Sequence, residues 1–349
     1  MKVFRLLAAG MAVVALLAGC GGGGSDEATG GAQSSAQPSN TQEQPQNDLA
    51  LLQLTMDSRA NPEAAGVLLA DRLRYFADAG LNMLILGPAS PSQALGYAAN
   101  GTDIVMSPLP QLVMAQEEGL PLVAVGSVIP EATMSMIWLP ESGIEGIADL
   151  KGKRIGTPGL SFQEGFLKVI LAKAGLTLAD VKLDEVAYGD NLVSKLRRGD
   201  LDAIFGGSWN VEGAALEADG VKPVIAKATD LGIPEFDELV FVARRGRYAK
   251  KPELLSGFLE AAYRGAAAVK EDPVAGAEAV VDKSLEFVPT REGEAGTKAT
   301  APLFSESPAI DRRQAAKLID WMHAQGMIKR KIPVSQLIAD EGEAGTAGK

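Results

Sequence analysis

The stretch Leu51-Leu52-Gln53-Leu54-Thr55-Met56, together with the segment that follows it, decides the fold. These six residues form a short apolar run of the kind that becomes a β-strand. Residues 66–79 then place Leu69, Leu73 and Phe76 on one face of a predicted helix. A strand followed by an amphipathic helix is the repeating unit of an α/β fold, with a mostly parallel sheet covered on both faces.

The same alternation continues along the chain, with one polar break at residues 140–151. Further strands are predicted at residues 83–86, 103–106, 122–128, 134–139, 153–157, 182–187, 203–205, 223–226 and 239–243. Further helices are predicted at residues 92–100, 109–118, 162–174, 192–198, 211–219, 252–271, 273–283, 312–325 and 335–338.

The break and the helical C-terminus predict two α/β lobes, the second inserted in the first. Lobe 1 is expected to comprise residues 49–143 with 245–340, and lobe 2 residues 144–244, with a frayed tail at 341–349. The chain would cross between the lobes near residues 140–145 and 243–246, and these crossings would form a hinge. Clefts at the carboxyl ends of strands are where α/β proteins bind small ligands.

The N-terminus has the pattern of an export signal. A short positive start with Lys2 and Arg5 precedes an apolar run at residues 6–18, which is too short to span a bilayer comfortably. The run closes on Leu17-Ala18-Gly19-Cys20, which resembles the bacterial lipobox, so residues 1–19 are predicted to be removed and Cys20 to carry lipid. An ordinary secretory signal with a chance Cys is the alternative. Residues 21–48 are polar and rich in Gly, and we expect them to form a disordered tether.

The amino-acid composition excludes several classes of function. The 349 residues carry 33 basic and 44 acidic side chains, a net charge of −11 that becomes −13 when residues 1–19 are lost, so a nucleic-acid partner is not expected. One Cys and one His cannot build a Cys/His zinc site or an internal disulfide, and no metal or cofactor is predicted. The phosphate-loop, dinucleotide and nucleophile-elbow patterns are missing from the sequence, and His323 lies in an amphipathic helix.

The segment Gly206-Gly-Ser-Trp-Asn-Val-Glu212 is the most informative motif. Trp209 and Glu212 are three residues apart at the start of a predicted helix and share one face. An aromatic face beside a hydrogen-bonding acid suits a planar, nitrogen-rich heterocycle. The alternative, equally weighted on composition, is a core Trp209 beside a solvated first-turn Glu212.

Two other segments carry weaker signals. Ser161 and Glu164 have the spacing of a capping box after the glycine-rich turn at 156–159, and such a turn can also present free N–H groups to a ligand. Asp57 and Asn61 follow the first predicted strand, where turn-forming residues are common in any case.

Several stretches resemble one family of binding proteins. They are residues 206–220, residues 232–240, Tyr75 to Leu81, Ser107-Pro108, residues 119–125 and Asp149 to Gly156. Together they are similar to solute-binding proteins of the thiamine-pyrimidine-precursor group, within the wider family that holds nitrate, sulfonate and taurine binders. The resemblance covers about residues 50–270.

The resemblance implies a type II periplasmic-binding-protein fold that closes on an aminopyrimidine and hands it to an ABC permease with its cytoplasmic ATPase. It implies that the aromatic ring and acid of Trp209 and Glu212 hold the pyrimidine, and it points to Asp57 and Asn61 in the first loop. Further candidate binding residues are Ser107, Ser161, Glu164, Asn210 and Tyr188, for which a core or rim tyrosine is the alternative. The sequence departs from the group at Ser58, where a Trp is expected, and at Ala64, where a His is expected.

We therefore predict a monomeric, lipid-anchored binding protein outside the cytoplasm, not an enzyme. Riboflavin, an aliphatic sulfonate, taurine or nitrate is the alternative ligand, although Glu212 would repel an anion. A pyrimidine-processing enzyme is the alternative of a different class. The fungal relatives that make the pyrimidine carry a Cys-rich motif and consume a His, and this sequence offers no matching nucleophile and base.

Overall fold

The computed structural model describes residues 49–186, 191–284 and 290–340, and within them ten strands form two mixed β-sheets. The strands are β1 (Ala50–Thr55), β2 (Leu81–Leu86), β3 (Ile104–Ser107), β4 (Leu122–Ile129), β5 (Met134–Trp138), β6 (Arg154–Thr157), β7 (Lys182–Glu185), β8 (Ala203–Ser208), β9 (Val224–Lys227) and β10 (Leu239–Arg244). The predicted alternation of strands and helices is confirmed, and the fold is α/β.

The described ranges contain twelve α-helices. They are α1 (Ala65–Arg72), α2 (Tyr75–Asp78), α3 (Ala94–Ala99), α4 (Leu109–Glu117), α5 (Ser161–Lys173), α6 (Leu192–Arg197), α7 (Ala214–Ala218), α8 (Pro252–Glu271), α9 (Pro273–Lys283), α10 (Thr290–Thr300), α11 (Arg312–Ala324) and α12 (Val334–Leu337). The single helix predicted at 66–79 is wrong, because Arg74 adopts a left-handed φ of 64° and divides it into α1 and α2. Helix α10 was not predicted.

The first sheet has the strand order β2-β1-β3-β10-β4. Strand β1 runs parallel to β2 and β3, whereas β10 runs antiparallel to β3 and β4. Ala50 pairs with Leu81 and Thr55 with Leu86, so β1 and β2 end at the same edge. The loop after β1 therefore leaves from the carboxyl edge of the sheet, where α/β proteins place ligands.

The second sheet has the strand order β7-β6-β8-β5-β9. Strand β6 runs parallel to β7 and β8, and β5 runs antiparallel to β8 and β9. Ile155 of β6 pairs with Ala203 of β8, which brings the turn after β6 and the turn after β8 to one edge. The segments that follow these two strands are those singled out in the sequence.

One expectation about the sheets is wrong and one is confirmed. Strand β5 belongs to the second sheet and β10 to the first, so the chain crosses between sheets before β5 and before β10, not near residues 140–145 and 243–246. These two crossing strands run antiparallel to their neighbours, whereas the other four strands of each sheet run in one direction, so each sheet is mixed but mostly parallel, as the sequence predicted. The crossing strands β5 and β10 are buried along nearly their whole length, and such a pattern does not reveal which sheet a strand joins.

One hydrophobic core is continuous between the two sheets. Phe166 of α5 lies at its centre, edge-on to Phe162, Phe236 and Trp321 at ring-centroid distances of 5.4, 5.8 and 5.3 Å. Trp321 belongs to α11, so the C-terminal helices pack against the second sheet's helix α5 as well as against the first sheet's α4. The sequence predicted only packing on lobe 1.

The two crossing segments are fastened to each other by carboxylates. Glu238, just before β10, accepts hydrogen bonds at Oε2 from the backbone N–H groups of Thr133 and Met134 at 2.7 and 2.8 Å. Glu235 accepts a third from the N–H of Ala132. The sequence predicts a hinge at the crossings, and in the structure the crossings are these two segments, where side chains of one bind the backbone of the other.

Some predictions fall outside the described residues. These are the signal peptide, Cys20 with the tether, Tyr188 and the tail at 341–349. Within the described ranges, the longest and most apolar helices fall short of what crossing a bilayer requires.

Candidate functional site

The loop after β1 carries an acidic side chain into the interior. Asn61 caps a single helical turn, Pro62–Ala64, by accepting at Oδ1 from the N–H of Glu63 at 2.7 Å. Its Nδ2 donates to Ser58 Oγ at 2.7 Å, which closes the loop on itself. Glu63 is thereby turned inward and is only 7% exposed. Asn61, predicted as a direct ligand contact, here positions Glu63.

On the second sheet, β8 runs into a π-helical turn, Trp209–Gly213, in place of the start of the predicted helix at 211–219. Such turns are rare and often occur at functional sites. Gly206 has φ +87°, and a Cβ there would lie 2.6 Å from Gln163 Nε2. Only glycine fits both the conformation and the space, so the turn depends on Gly206.

Glu63 of the first loop and the π-helical turn meet directly. Glu63 Oε1 accepts from Asn210 Nδ2 at 3.3 Å and from Thr133 Oγ1 at 3.1 Å. Thr133 Oγ1 also lies 3.1 Å from Ser208 Oγ, at the end of β8. One carboxylate oxygen therefore joins the first sheet's loop, the crossing segment and the second sheet's π-helical turn.

Glu212 is folded back under the turn that carries it. Its Oε2 accepts from the backbone N–H of Ser208 at 2.7 Å. Burial of the carboxyl, with a smaller contribution from the charge of Glu63, raises the pKa of Glu212 to about 7. One oxygen of Glu212 thus holds the start of the π-helical turn that carries Trp209, as a first-turn acid would.

Four carboxyl groups, which we call the acidic cluster, influence one another here: Asp57, Glu63, Glu212 and Glu238. Burial and then repulsion by Glu63 raise the pKa of Asp57 to about 7 and that of Glu238 to about 8. Burial likewise raises the pKa of Glu63, against hydrogen bonds that lower it. Because Glu63 acts on each of the other three, it is the electrostatic centre of the cluster.

The indole of Trp209 borders the same region. The Nζ of Lys227, at the end of β9, lies over the ring at 4.4 Å from its centroid, a cation–π contact. The Nε1 of Trp209 is buried and has no hydrogen-bond partner among the described residues. Trp209 is therefore neither a simple core residue nor a fully open stacking face.

Helix α10, which the sequence did not predict, contributes a further wall of the site. Thr300 Oγ1 accepts from Asn210 Nδ2 at 2.8 Å. At Gly296, an added Cβ would lie 2.8 Å from Pro62 and 3.5 Å from the carbonyl oxygen of Asn210. The helix therefore lies against both the first loop and the π-helical turn. Its own sequence, TREGEAGTKAT, has no apolar stripe that would have predicted it.

The remaining predicted residues lie around this centre or apart from it. Ser107 is fully buried at the end of β3 and bonds locally, donating to the carbonyl of Pro108 at 3.2 Å. Ser161 and Glu164 are exposed on the first turn of α5. Their predicted capping box is wrong, because Leu160 is the N-cap and makes no side-chain capping bond. The first helical bonds run from the N–H groups of residues 163 and 164 to the carbonyl of Leu160, one residue before the predicted cap.

The turn before α5 nevertheless adjoins the π-helical turn. Gln163 Nε2 donates to the carbonyl of Gly206 at 3.3 Å, and Thr157 Oγ1 donates to Gln163 Oε1 at 3.4 Å. At the two positions where the sequence departs from the resembled group, Ser58 bonds Asn61 and Ala64 is buried in the first sheet's core. The structure thus brings Asp57, Asn61, Trp209, Asn210 and Glu212 into one region.

Chemically, the region offers hydrogen-bond acceptors beside an aromatic ring. Asp57 Oδ1 and Asn210 Oδ1 are buried without partners among the described residues, so two acceptor atoms are available. In the described ranges, no group of three or more His, Cys, Asp or Glu side chains is arranged to hold a metal ion. Acceptors beside a ring suit a planar ligand that carries N–H groups.

Comparison with known proteins gives a consistent family. A sequence model described as NMT1/THI5 like matches residues 61–276. A putative thiamine biosynthesis protein of Haemophilus influenzae is 28% identical over 287 residues, which are 82% of this chain and 90% of the relative. A formylaminopyrimidine-binding protein of Halalkalibacterium halodurans is 27% identical over 276 residues, 74% of this chain and 80% of the relative.

Other relatives carry an enzyme's name. A 4-amino-5-hydroxymethyl-2-methylpyrimidine phosphate synthase of Legionella pneumophila is 29% identical over 223 residues, 63% of this chain and 69% of the relative. Among solved structures, the alkanesulfonate-binding protein of Xanthomonas axonopodis pv. citri bound to MOPS has a TM-score of 0.64 at 18% identity, covering 82% of this chain and 96% of that one. This likeness shows the periplasmic-binding-protein fold that the sequence predicted.

Proposed function

Because the chain belongs to the NMT1/THI5-like family, we propose that it binds a small aminopyrimidine of the thiamine-precursor type between its two sheets. The observation that carries this proposal is the meeting of Glu63 with Asn210 beside Trp209 and Glu212. This contact supplies acceptors and an aromatic ring in one place, from both sheets. Two relatives with related names, one for thiamine biosynthesis and one for formylaminopyrimidine binding, agree with this choice of ligand.

Each polar contact with the ligand is assigned to a side-chain atom that has no other hydrogen-bond partner among the described residues. Asp57 Oδ1 and Asn210 Oδ1, both buried without described partners, accept from the ligand's N–H groups. Glu212 accepts from the exocyclic amine through the oxygen that does not hold Ser208. Trp209 stacks on the heterocycle, and Asn61 acts through Glu63. Ser161 and Glu164, exposed on the first turn of α5, form an outer part of the site, and Tyr188 stays a predicted binding residue outside the described ranges.

Binding works by closure of the two sheets on the ligand. A ligand that touches Asp57 on the first sheet's side and Trp209 on the second sheet's side favours the closed arrangement, because open sheets cannot make both contacts at once. The crossing segments joined by Glu238 act as the hinge. The bound pyrimidine is then delivered to an ABC permease and its ATPase by a monomeric, lipid-anchored protein, without chemical conversion.

Isothermal titration calorimetry of the purified full chain with formylaminopyrimidine tests the ligand. We expect one site per chain, and we expect Glu212→Gln to weaken binding about 10- to 100-fold, the range for a hydrogen bond to a charged acceptor. Glu217→Gln, an exposed acid five residues away on α7, is the matched control and should bind as the wild type does.

A panel distinguishes the alternatives. Riboflavin, an aliphatic sulfonate, taurine and nitrate are titrated under the same conditions. Clear binding of one of these with no heat from the pyrimidine would reject the proposed ligand. Incubation of the protein with the pyrimidine, followed by chromatography, tests the alternative that the protein is a pyrimidine-processing enzyme. Conversion of the pyrimidine would reject the transport function in favour of catalysis.

A further inference from the structure

The acidic cluster is unusual because its carboxyl groups are buried next to neutral hydrogen-bond donors. Described hydrogen bonds to Glu63, Glu212 and Glu238 come from neutral donors: hydroxyls, an amide side chain and backbone N–H groups. Buried carboxylates are ordinarily paired with a cation or hold a metal, because an isolated buried charge is costly. The cluster is not arranged to hold a metal ion.

Two further observations point to an organic cation. Asn210 is completely buried, contacts Glu63 through Nδ2, and keeps Oδ1 without a partner among the described residues. The ammonium group of Lys227 lies over the ring of Trp209, the ring assigned above to the ligand. One side of the indole at the edge of the cluster thus carries a positive charge, which is the preference of an electron-rich indole.

We propose that this site takes its heterocyclic ligand as a cation, protonated on a ring nitrogen, with the carboxylate of Glu63 as its counter-charge. The inference rests on the proposed function and names the charge state of the ligand that is bound. Aminopyrimidines are weak bases whose ring nitrogen accepts a proton while the exocyclic amine stays neutral. The proton comes from the solvent or from the cluster, and its uptake gives the ligand one positive charge.

The charges around Glu63 explain why a cation is favoured over the neutral ring. Asp57 shares its loop, Glu212 lies on the π-helical turn and Glu238 on the crossing segment, and each is repelled by Glu63. Among the cations of the neighbouring segments, Arg59 has an interaction of its own, Lys227 lies over Trp209, and Arg291 and Lys298 are exposed on α10. A positively charged ring in the cluster allows Glu63 to ionise and relieves the repulsion of the other three carboxylates.

The ionisation state of the bound ligand is directly measurable. The probe is 4-amino-2-methylpyrimidine labelled with ¹⁵N in the ring, bound to the full chain at pH 8, where the free probe is neutral. Protonation of a ring nitrogen moves its ¹⁵N resonance far upfield, so we expect one ring nitrogen of the bound probe at the position of the protonated form. A bound probe whose two ring nitrogens both keep the neutral shift would overturn the proposal.

Variants and an isostere identify the counter-charge. Glu63→Gln should return the bound ring nitrogen to its neutral shift and weaken binding at least tenfold, whereas Glu217→Gln should change neither. 3-Methylaniline, which has the same outline but no ring nitrogen, should bind at least tenfold more weakly than the pyrimidine. A Glu63→Gln protein that binds the protonated probe with wild-type affinity would refute the role of Glu63. If this variant does not fold, the spectrum of the probe bound to the wild type still decides the charge state of the ligand.

The experiments distinguish failure of the proposed function from failure of the proposed charge state. If the pyrimidine binds and stays neutral, the proposed function stands and the cationic form is wrong. If no aminopyrimidine binds at any pH between 5 and 9, the proposed function is wrong and the charge assignment falls with it.

Discussion

The carboxyl of Glu238 gives a sharp prediction about stability and pH. It fastens one crossing segment to the other, is 7% exposed, and has its pKa raised to about 8, by burial first and by Glu63 second. In the unfolded chain its pKa is near 4.5. Between these values the folded protein keeps a proton that the unfolded chain has lost, so stability falls as the pH rises and levels off above about 8.

The size of the effect follows from the two pKa values. A rise from 4.5 to about 8 corresponds to about 5 kcal/mol lost between pH 4 and pH 9, at about 1.4 kcal/mol for each pH unit. This is an upper limit, since movement of the hinge and entry of water lower the cost of ionisation. Glu238→Gln removes the ionisation and keeps an acceptor oxygen for the N–H groups of Thr133 and Met134. The variant should match the wild type within about 1 kcal/mol at pH 5 and exceed it by about 2–5 kcal/mol at pH 9.

Urea unfolding followed by circular dichroism, at pH 5, 6, 7, 8 and 9, measures this difference. Asp57, Glu212 and Asp237 have raised pKa values too, so both proteins lose stability with rising pH, and the difference between them isolates Glu238. The exposed Glu145→Gln is the control and should follow the wild type at every pH. A Glu238→Gln variant less stable than the wild type at pH 9 would refute the reasoning, because Glu238 would then stabilise the fold as an anion.

Three other perturbations test the rest of the structure. Phe166→Ala should lower the free energy of unfolding by about 3–5 kcal/mol in a urea titration, because it empties the centre of a three-aromatic contact, and a loss under 1 kcal/mol would contradict that packing. Thr300→Val removes the acceptor for Asn210 and should cost about 1 kcal/mol in the same titration, with Thr229→Val, at a half-buried turn, as the comparison. Cys20→Ala should move the protein from the membrane fraction to the soluble fraction on cell fractionation, and retention in the membrane would exclude the lipid anchor.

The local elements were predictable because their signals are local. The apolar run at 51–56 became β1, and the strand-helix alternation after it gave an α/β protein. The sheet to which a crossing strand belongs was not predictable. Strands β5 and β10 are buried along nearly their whole length, so neither shows an alternation that would tell which sheet covers it. That choice is made by pairing between distant segments.

The candidate site also contains residues that have a local sequence signal and residues that have none. Trp209 and Glu212 were found because an aromatic and an acid within one turn is visible in the sequence. Glu63 was missed because a glutamate after Asn61-Pro62 has the usual pattern of a first helical turn, where acids are normally solvated. Only the contact with Asn210, 147 residues later, gives it a different role. Helix α10 was missed because it joins the site through Gly296 and Thr300, small residues that leave no hydrophobic signal.

Under the proposed function, the ligand class is set by a few loop residues and not by the fold. The alkanesulfonate-binding protein of Xanthomonas axonopodis shares the architecture at 18% identity, and a sulfonate is an anion. In this chain the loop after β1 and the turn after β8 bring carboxyl groups to the edge where the sheets meet. An anion placed there would face Glu63 and its three neighbours, with the nearby Lys227 engaged over Trp209, whereas a protonated heterocycle would balance the charge of Glu63. Exchanging the charge of these loops, with the scaffold unchanged, is the change that would turn one kind of binder into the other.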